Sequence, residues 1–272
     1  MKLKQYLRAF PIPGCISVAV TSVILLAAVS LLRKVLPEGM AFDFAKQVVN
    51  ILWPFALTAL LGYGWCCRHV SFPKTLTAGL FALILYGAVF LIRASEALVS
   101  EATPWKTAPG ICLGIISILG IGFREETVFR GIIANNLGIA YGKSQRGVWK
   151  AVILSGLIFG LSHLSNIFTG VNPLRALLQT ASACAIGMYL SAVYYRGGSL
   201  WALVLIHCLT DAGGLFRSAF TAEATAVEQV NSLSVRGLVM IPVFIGITVF
   251  LLRKTKMDAV LDNLKQAARC DG

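Results

Sequence analysis

The chain has 272 residues, of which 57% are hydrophobic and 13% charged. A water-soluble domain carries about 25% charged residues, so this composition excludes a soluble globule, and it excludes a disordered chain, which needs low hydrophobicity and high charge. The net charge of +12 comes from 24 Lys and Arg against 12 Asp and Glu; these cations sit between apolar runs, where they read as membrane-surface anchors and topology signals rather than a nucleic-acid footprint.

The N-terminus, with Lys2, Lys4 and Arg8 before the apolar run Ile16–Leu32, imitates a signal peptide. That run is longer than an ordinary signal core and is followed by Arg33 and Lys34, so it reads as a retained span. Seven further apolar segments follow: Val48–Cys67, Leu76–Ile92, Pro109–Phe123, Val148–Leu164, Ala176–Tyr195, Ser199–Phe216 and Gly237–Leu252. None alternates apolar with polar residues as barrel strands do, which leaves helices as the spanning structure. A span takes about 20 residues. The expected fold is therefore all-α: a polytopic transmembrane helical bundle of about eight spans, one integral membrane domain over 1–272. Turn chemistry punctuates it at Pro37-Glu38-Gly39, Asn172-Pro173 and Arg196-Gly197-Gly198.

Alternate loops hold 14 Lys and Arg on the side of the termini and 8 on the other, with Arg124 and Arg130 inside a helix. This bias favours cytoplasmic termini, in the inner (plasma) membrane of a cell. The cysteines (Cys15, Cys66, Cys67, Cys112, Cys184, Cys208, Cys270) are scattered and read as small buried hydrophobes, not as a disulfide framework.

The fourth and seventh apolar segments are interrupted by ionisable residues. A charge in mid-bilayer costs at least about 2.5–3.5 kcal/mol, so such residues face the bundle interior and carry function. Of three histidines, His163 ends the fifth apolar run and His207 lies inside the seventh, while His69 sits beside Arg68 in a loop and receives no role. Among the acids, Glu125, Glu126 and Asp211 are contiguous with apolar sequence.

Helical spacing arranges these groups. Glu126 and Arg130 stand i,i+4 and can pair along one face. Glu125 lies about 100° around the helix, free to face partners, with Phe129 at i+4 to shield it. His207 and Asp211 are also i,i+4, so that one can hold the other. A single pocket could then receive one carboxylate, two imidazoles and Asp211. The bland reading of each is a packing role: a hydrogen-bonded core histidine, a structural Glu126–Arg130 pair, and helix packing for Gly156-x-x-x-Gly160. The chain has no H-E-x-x-H, no G-x-S-x-G and no Walker loop.

Glu125-Glu126-Thr-Val-Phe-Arg130, Phe159-Gly-Leu-Ser-His163 and His207-Cys-Leu-Thr-Asp211 match E-E-x-x-x-R, F-x-x-x-H and H-x-x-x-(Asn/Asp). In this order, on separate apolar helices, they resemble the CAAX protease and bacteriocin-processing (CPBP) intramembrane protease family, which includes the Ras-converting enzymes. The resemblance covers a protease-like core at about residues 109–216. It implies an intramembrane endopeptidase of glutamic type, acting on a membrane-associated protein or peptide. Glu125 would activate water together with His163. His207 and the residue at 211 would stabilise the oxyanion, and Glu126 and Arg130, with Phe129 and Phe159, would support the site. Many members carry Asn where this chain has Asp211. An ionised Asp cannot donate to an oxyanion, so Asp211 is either protonated or orients His207 and leaves His207 as the donor; the orienting role is favoured.

The resemblance favours a mechanism with no cofactor, although Glu125, His163 and His207 are also residue types that bind zinc. Two further readings remain. Intramembrane Glu, Asp and His also build proton-coupled transporters, and a non-catalytic immunity or scaffold protein could keep the trio for structure. The sequence selects neither a substrate nor an oligomeric state.

Overall fold

A computed structural model describes residues 3–31, 39–62 and 71–271. Arg33, Lys34, Pro37, Glu38, Cys66, Cys67 and His69, on which parts of the sequence reading fall, lie outside the described residues. The helices are α1 (Leu3–Ala9), α2 (Pro11–Leu31), α3 (Met40–Leu61), α4 (Phe72–Ala78), α5 (Leu80–Val99) and α6 (Ala108–Glu126). A π-helical stretch, Thr127–Ala134, joins α6 to α7 (Asn135–Tyr141), and α8 (Gln145–Ser162) ends in a 3₁₀ stretch, His163–Thr169. Then come α9 (Pro173–Gly197), α10 (Leu200–Gly214), α11 (Phe216–Phe220), α12 (Ala226–Asn231), α13 (Met240–Leu251) and α14 (Lys254–Asp271). The fold is all-α, as expected. Among the described residues the one strand-like feature is an isolated bridge between Trp105 and Thr221.

Among the described residues, each of the eight apolar segments is largely helical. Among the described residues, five helices can cross a bilayer by length and composition, in α2, α3, α5, α8 with its 3₁₀ extension, and α9, and a sixth counts if α13 and α14, bent by 76°, form one span. The other apolar segments of the expected bundle fall in helices that are shorter or carry charges. The α6 helix carries Arg124, Glu125 and Glu126 in its last turn. With 15 and 12 residues, α10 and α13 reach only about 22 and 18 Å at 1.5 Å per residue, short of a core about 30 Å thick.

Local chemistry sets the helix ends. Asn172 Oδ1 accepts from the Leu174 amide, with Pro173 in the first turn of α9. The α9 helix stops at Gly198, whose φ of 76° suits glycine, and Ser199 Oγ then caps α10 by accepting from the Ala202 amide. The predicted Arg196-Gly197-Gly198 turn is this tight reversal.

Glycines set the spacing that builds the site. A Cβ at Gly156 would lie 2.4 Å from Met188 Cγ and 2.8 Å from the Cys184 oxygen, and one at Gly160 would lie 2.2 Å from Cys184 Sγ. The Gly156-x-x-x-Gly160 face is thus a close α8–α9 contact. Likewise a Cβ at Gly122 would lie 2.7 Å from Cys208 Sγ, so α6 approaches α10 closely one turn before its acid pair. Two buried polar contacts join elements in the bundle: Ser191 Oγ donates to Ser155 Oγ at 3.0 Å, and the Tyr195 hydroxyl to the Ala134 oxygen at 2.6 Å. Gly156→Leu is expected to lower the thermal unfolding midpoint in detergent, since overpacking costs about 1–3 kcal/mol; an unchanged midpoint would show that the α8–α9 contact yields freely.

Candidate active site

The acid pair stands where α6 gives way to the π-helical stretch. A π segment widens the turn and is frequent at functional sites. Here it follows Glu126 directly, and every residue in it except Gly131 is buried. Glu126 and Arg130 are both fully buried and joined by Arg130 Nη1–Glu126 Oε1 at 2.9 Å, the i,i+4 pair read from spacing. The Arg130 guanidinium carbon lies 4.3 Å above the centre of the Phe159 ring, a cation–π contact from α8.

His207, in α10, reaches the same carboxylate. Its Nδ1 lies 2.6 Å from Glu126 Oε1. A carboxylate oxygen accepts, so Nδ1–H is the donor and Nε2 is turned outward. Nε2 faces Glu125 Oε2 at 3.5 Å and Asp211 Oδ2 at 3.8 Å, both longer than a good hydrogen bond. The bond that orients His207 therefore comes from Glu126 across the α6–α10 contact. Asp211, expected in that role from its own helix, stands on the other side of the ring. Its Oδ2 is buried and without a hydrogen-bond partner.

His163 opens the 3₁₀ stretch after α8. Its Nδ1 lies 3.0 Å from the Phe159 carbonyl oxygen. A carbonyl only accepts, so Nδ1 carries a proton and Nε2 is the ring nitrogen left for other partners. The Phe159 ring touches both imidazoles edge-on, with centroids 4.9 Å from His163 and 6.2 Å from His207. It also meets Phe129 at 4.9 Å, nearly perpendicular. Phe129 and Phe159 thus wall the site with aromatic surface.

Three side chains beside the site, Arg124, Asn50 and Gln47, received no role from the sequence. Arg124 Nη2 lies 2.7 Å from Glu125 Oε1, and Arg124 Nη1 donates to Asn50 Oδ1 of α3 at 2.9 Å. Asn50 Nδ2 in turn donates to Gln47 Oε1 at 2.8 Å. The signal was present: a cation beside an acid pair in an apolar helix costs as much as the acids do, and two amides three residues apart in α3 need partners. Glu125 and Asp211 keep 13% and 17% of their side chains exposed, so the site is not sealed.

The residues named for zinc, Glu125, His163 and His207, do not form a ligand set as arranged. Among the described residues no three His, Cys, Asp or Glu side chains are gathered to hold a metal ion. A guanidinium already occupies Glu125 Oε1, which opposes a dication there.

Residues 107–213 match the family model described as type II CAAX prenyl endopeptidase Rce1-like. The matched segment holds all three motifs. No curated protein and no solved structure matches the chain.

Proposed function

We propose, from the premise that residues 107–213 form an Rce1-like domain of the CAAX protease family in an integral membrane protein, that this protein hydrolyses a peptide bond of a membrane-associated protein or peptide with water activated by Glu125 and His163. The observation that carries this reading is the pairing of an accessible carboxylate with an imidazole across helices: Glu125 Oε2 faces His207 Nε2 at 3.5 Å, while Glu126 holds the far side of that ring at 2.6 Å.

Each group has a task its bonding fits. Glu125 takes a proton from water as its oxygen attacks the carbonyl carbon, while the His163 Nε2 lone pair accepts a hydrogen bond from the water's other O–H and orients it. The bond from water oxygen to carbon forms, and the carbonyl oxygen takes the electron pair. His207, held at Nδ1 by Glu126, presents a protonated Nε2 to that oxyanion. Before attack, three carboxylates (Glu125, Glu126, Asp211) are balanced by Arg124, Arg130 and the His207 imidazolium; as Glu125 takes the proton, the oxyanion takes over its negative charge. The carbon–nitrogen bond breaks as the proton held by Glu125 passes to the leaving amine. No step is routed through a metal, so hydrolysis should survive chelators.

The first test is a comparison of membrane and secreted peptidomes from cells carrying wild-type protein and Glu125→Ala. A precursor that accumulates, together with its missing product, supports the reading. Identical peptidomes with both proteins inserted would sink it, and would leave the transporter and scaffold readings. Asp211→Asn should retain activity, because the bond that orients His207 comes from Glu126; inactivity of that variant would show that a negative charge at 211 is required.

A further inference from the structure

The polar chain Gln47–Asn50–Arg124–Glu125 runs from α3 into the site, and α3 lies outside the Rce1-like match at 107–213. Gln47 and Asn50 are buried, with 5% and 1% of their surface exposed. Buried amides in an apolar helix are costly unless bonded, and their outward bond ends on Arg124. The α6 surface makes room for them, since a Cβ at Gly120 would lie 3.3 Å from Gln47 Oε1 and 3.5 Å from Asn50 Cβ. Phe55 of α3 packs on Phe123 at 5.4 Å between ring centres, fixing the helices one residue before Arg124.

From this we infer that Arg124, anchored on α3 through Asn50 and Gln47, is the positioning residue that holds Glu125 Oε1 and leaves Oε2 turned to His207 and the reacting water. The inference rests on the peptidase reading of the site. The guanidinium does what a lysine cannot: its two Nη atoms reach two acceptors in one fixed plane, one fastening the side chain to α3 and the other gripping the carboxylate. With the grip in place, the two oxygens of Glu125 are not interchangeable. One is a fixed anchor and the other is the working base. A misplacement of about 1 Å in such a group can cost about 10²-fold in rate. The α3 helix is on this view part of the catalytic framework and not only a membrane anchor.

The test uses the full chain in nanodiscs and a quenched fluorescent peptide spanning the cleavage site found in the peptidome comparison. Arg124→Lys and Asn50→Leu should each lower kcat by at least about tenfold with KM within about twofold. The double variant should be no slower than Arg124→Lys alone, because both changes break one chain. Wild-type kcat in Arg124→Lys beside an inactive Glu125→Gln overturns the inference and leaves the peptidase reading intact. So do losses that multiply in the double variant, or a drop in thermal midpoint with kcat unchanged, which is what a purely structural chain gives. If Asn50→Leu does not accumulate, Arg124→Lys alone carries the kcat and KM comparison. An active Glu125→Gln, or no cleavage site found at all, overturns the peptidase reading and this inference with it.

Discussion

Glu125→Gln is expected to leave a folded, inserted protein whose peptide hydrolysis falls by about 10²–10⁴-fold, the usual worth of a positioned general base. The amide keeps an oxygen that can accept from Arg124, so the 2.7 Å contact has a neutral substitute and the helices need not move. What is lost is the proton acceptor facing His207. His207→Ala should cost a comparable factor, about 10²–10³, by removing an oxyanion donor. The two losses differ in kind. The Gln variant should still bind substrate with unchanged KM, and the thermal midpoint should stay near wild type. A Glu125→Gln protein that cleaves at the wild-type rate would remove the carboxylate from the chemistry altogether.

Much of the site could be read from residues near one another in sequence. Apolar runs marked α2, α3, α5, α6, α8, α9, α10 and α13, because lipid and a helical core both ask for the same residues, while the short α1, α7 and α12 and the charged α14 carry no such run. The Glu126–Arg130 pair followed from i,i+4 spacing, and the cost of intramembrane charge singled out Glu125, His163, His207 and Asp211. The orientation of His207 was not legible. Spacing offered Asp211, on the same helix, but Nδ1 turns to Glu126 at 2.6 Å and Asp211 stands 3.8 Å away from Nε2. That choice depends on the register between α6 and α10, which is set where Gly122 lies against Cys208. Sequence spacing says nothing about contacts across helices. The same limit hid Arg124 and its anchor, since Asn50 precedes it by 74 positions. The π-helical stretch after Glu126 was hidden for another reason: no residue pattern in Thr127–Ala134 distinguishes it from an α-helix.

Glu126 and Arg130 provide the sharpest separation of architecture from chemistry. Both side chains are fully buried, and the Glu126 oxygen that receives Arg130 at 2.9 Å also receives His207 at 2.6 Å. Arg130→Met is expected to destabilise the protein by about 3–5 kcal/mol, the cost of leaving one partner of a buried pair uncompensated. Against a total stability of about 5–15 kcal/mol, that should show as a large fall in accumulation and in the thermal midpoint. The double variant Glu126→Gln with Arg130→Met removes both charges and should recover most of that stability, because a neutral replacement of a buried pair is often tolerated. Its activity should not recover. An amide oxygen accepts from Nδ1 with roughly half the strength of a carboxylate, and the imidazolium that faces the oxyanion loses the charge that steadies it. Thermal unfolding and kcat, measured on the same preparations, check the two halves separately. If the double variant regains wild-type kcat, Glu126 only fastens α6 to the bundle. If Arg130→Met is as stable as wild type, the buried pair is not what holds the acid pair in place.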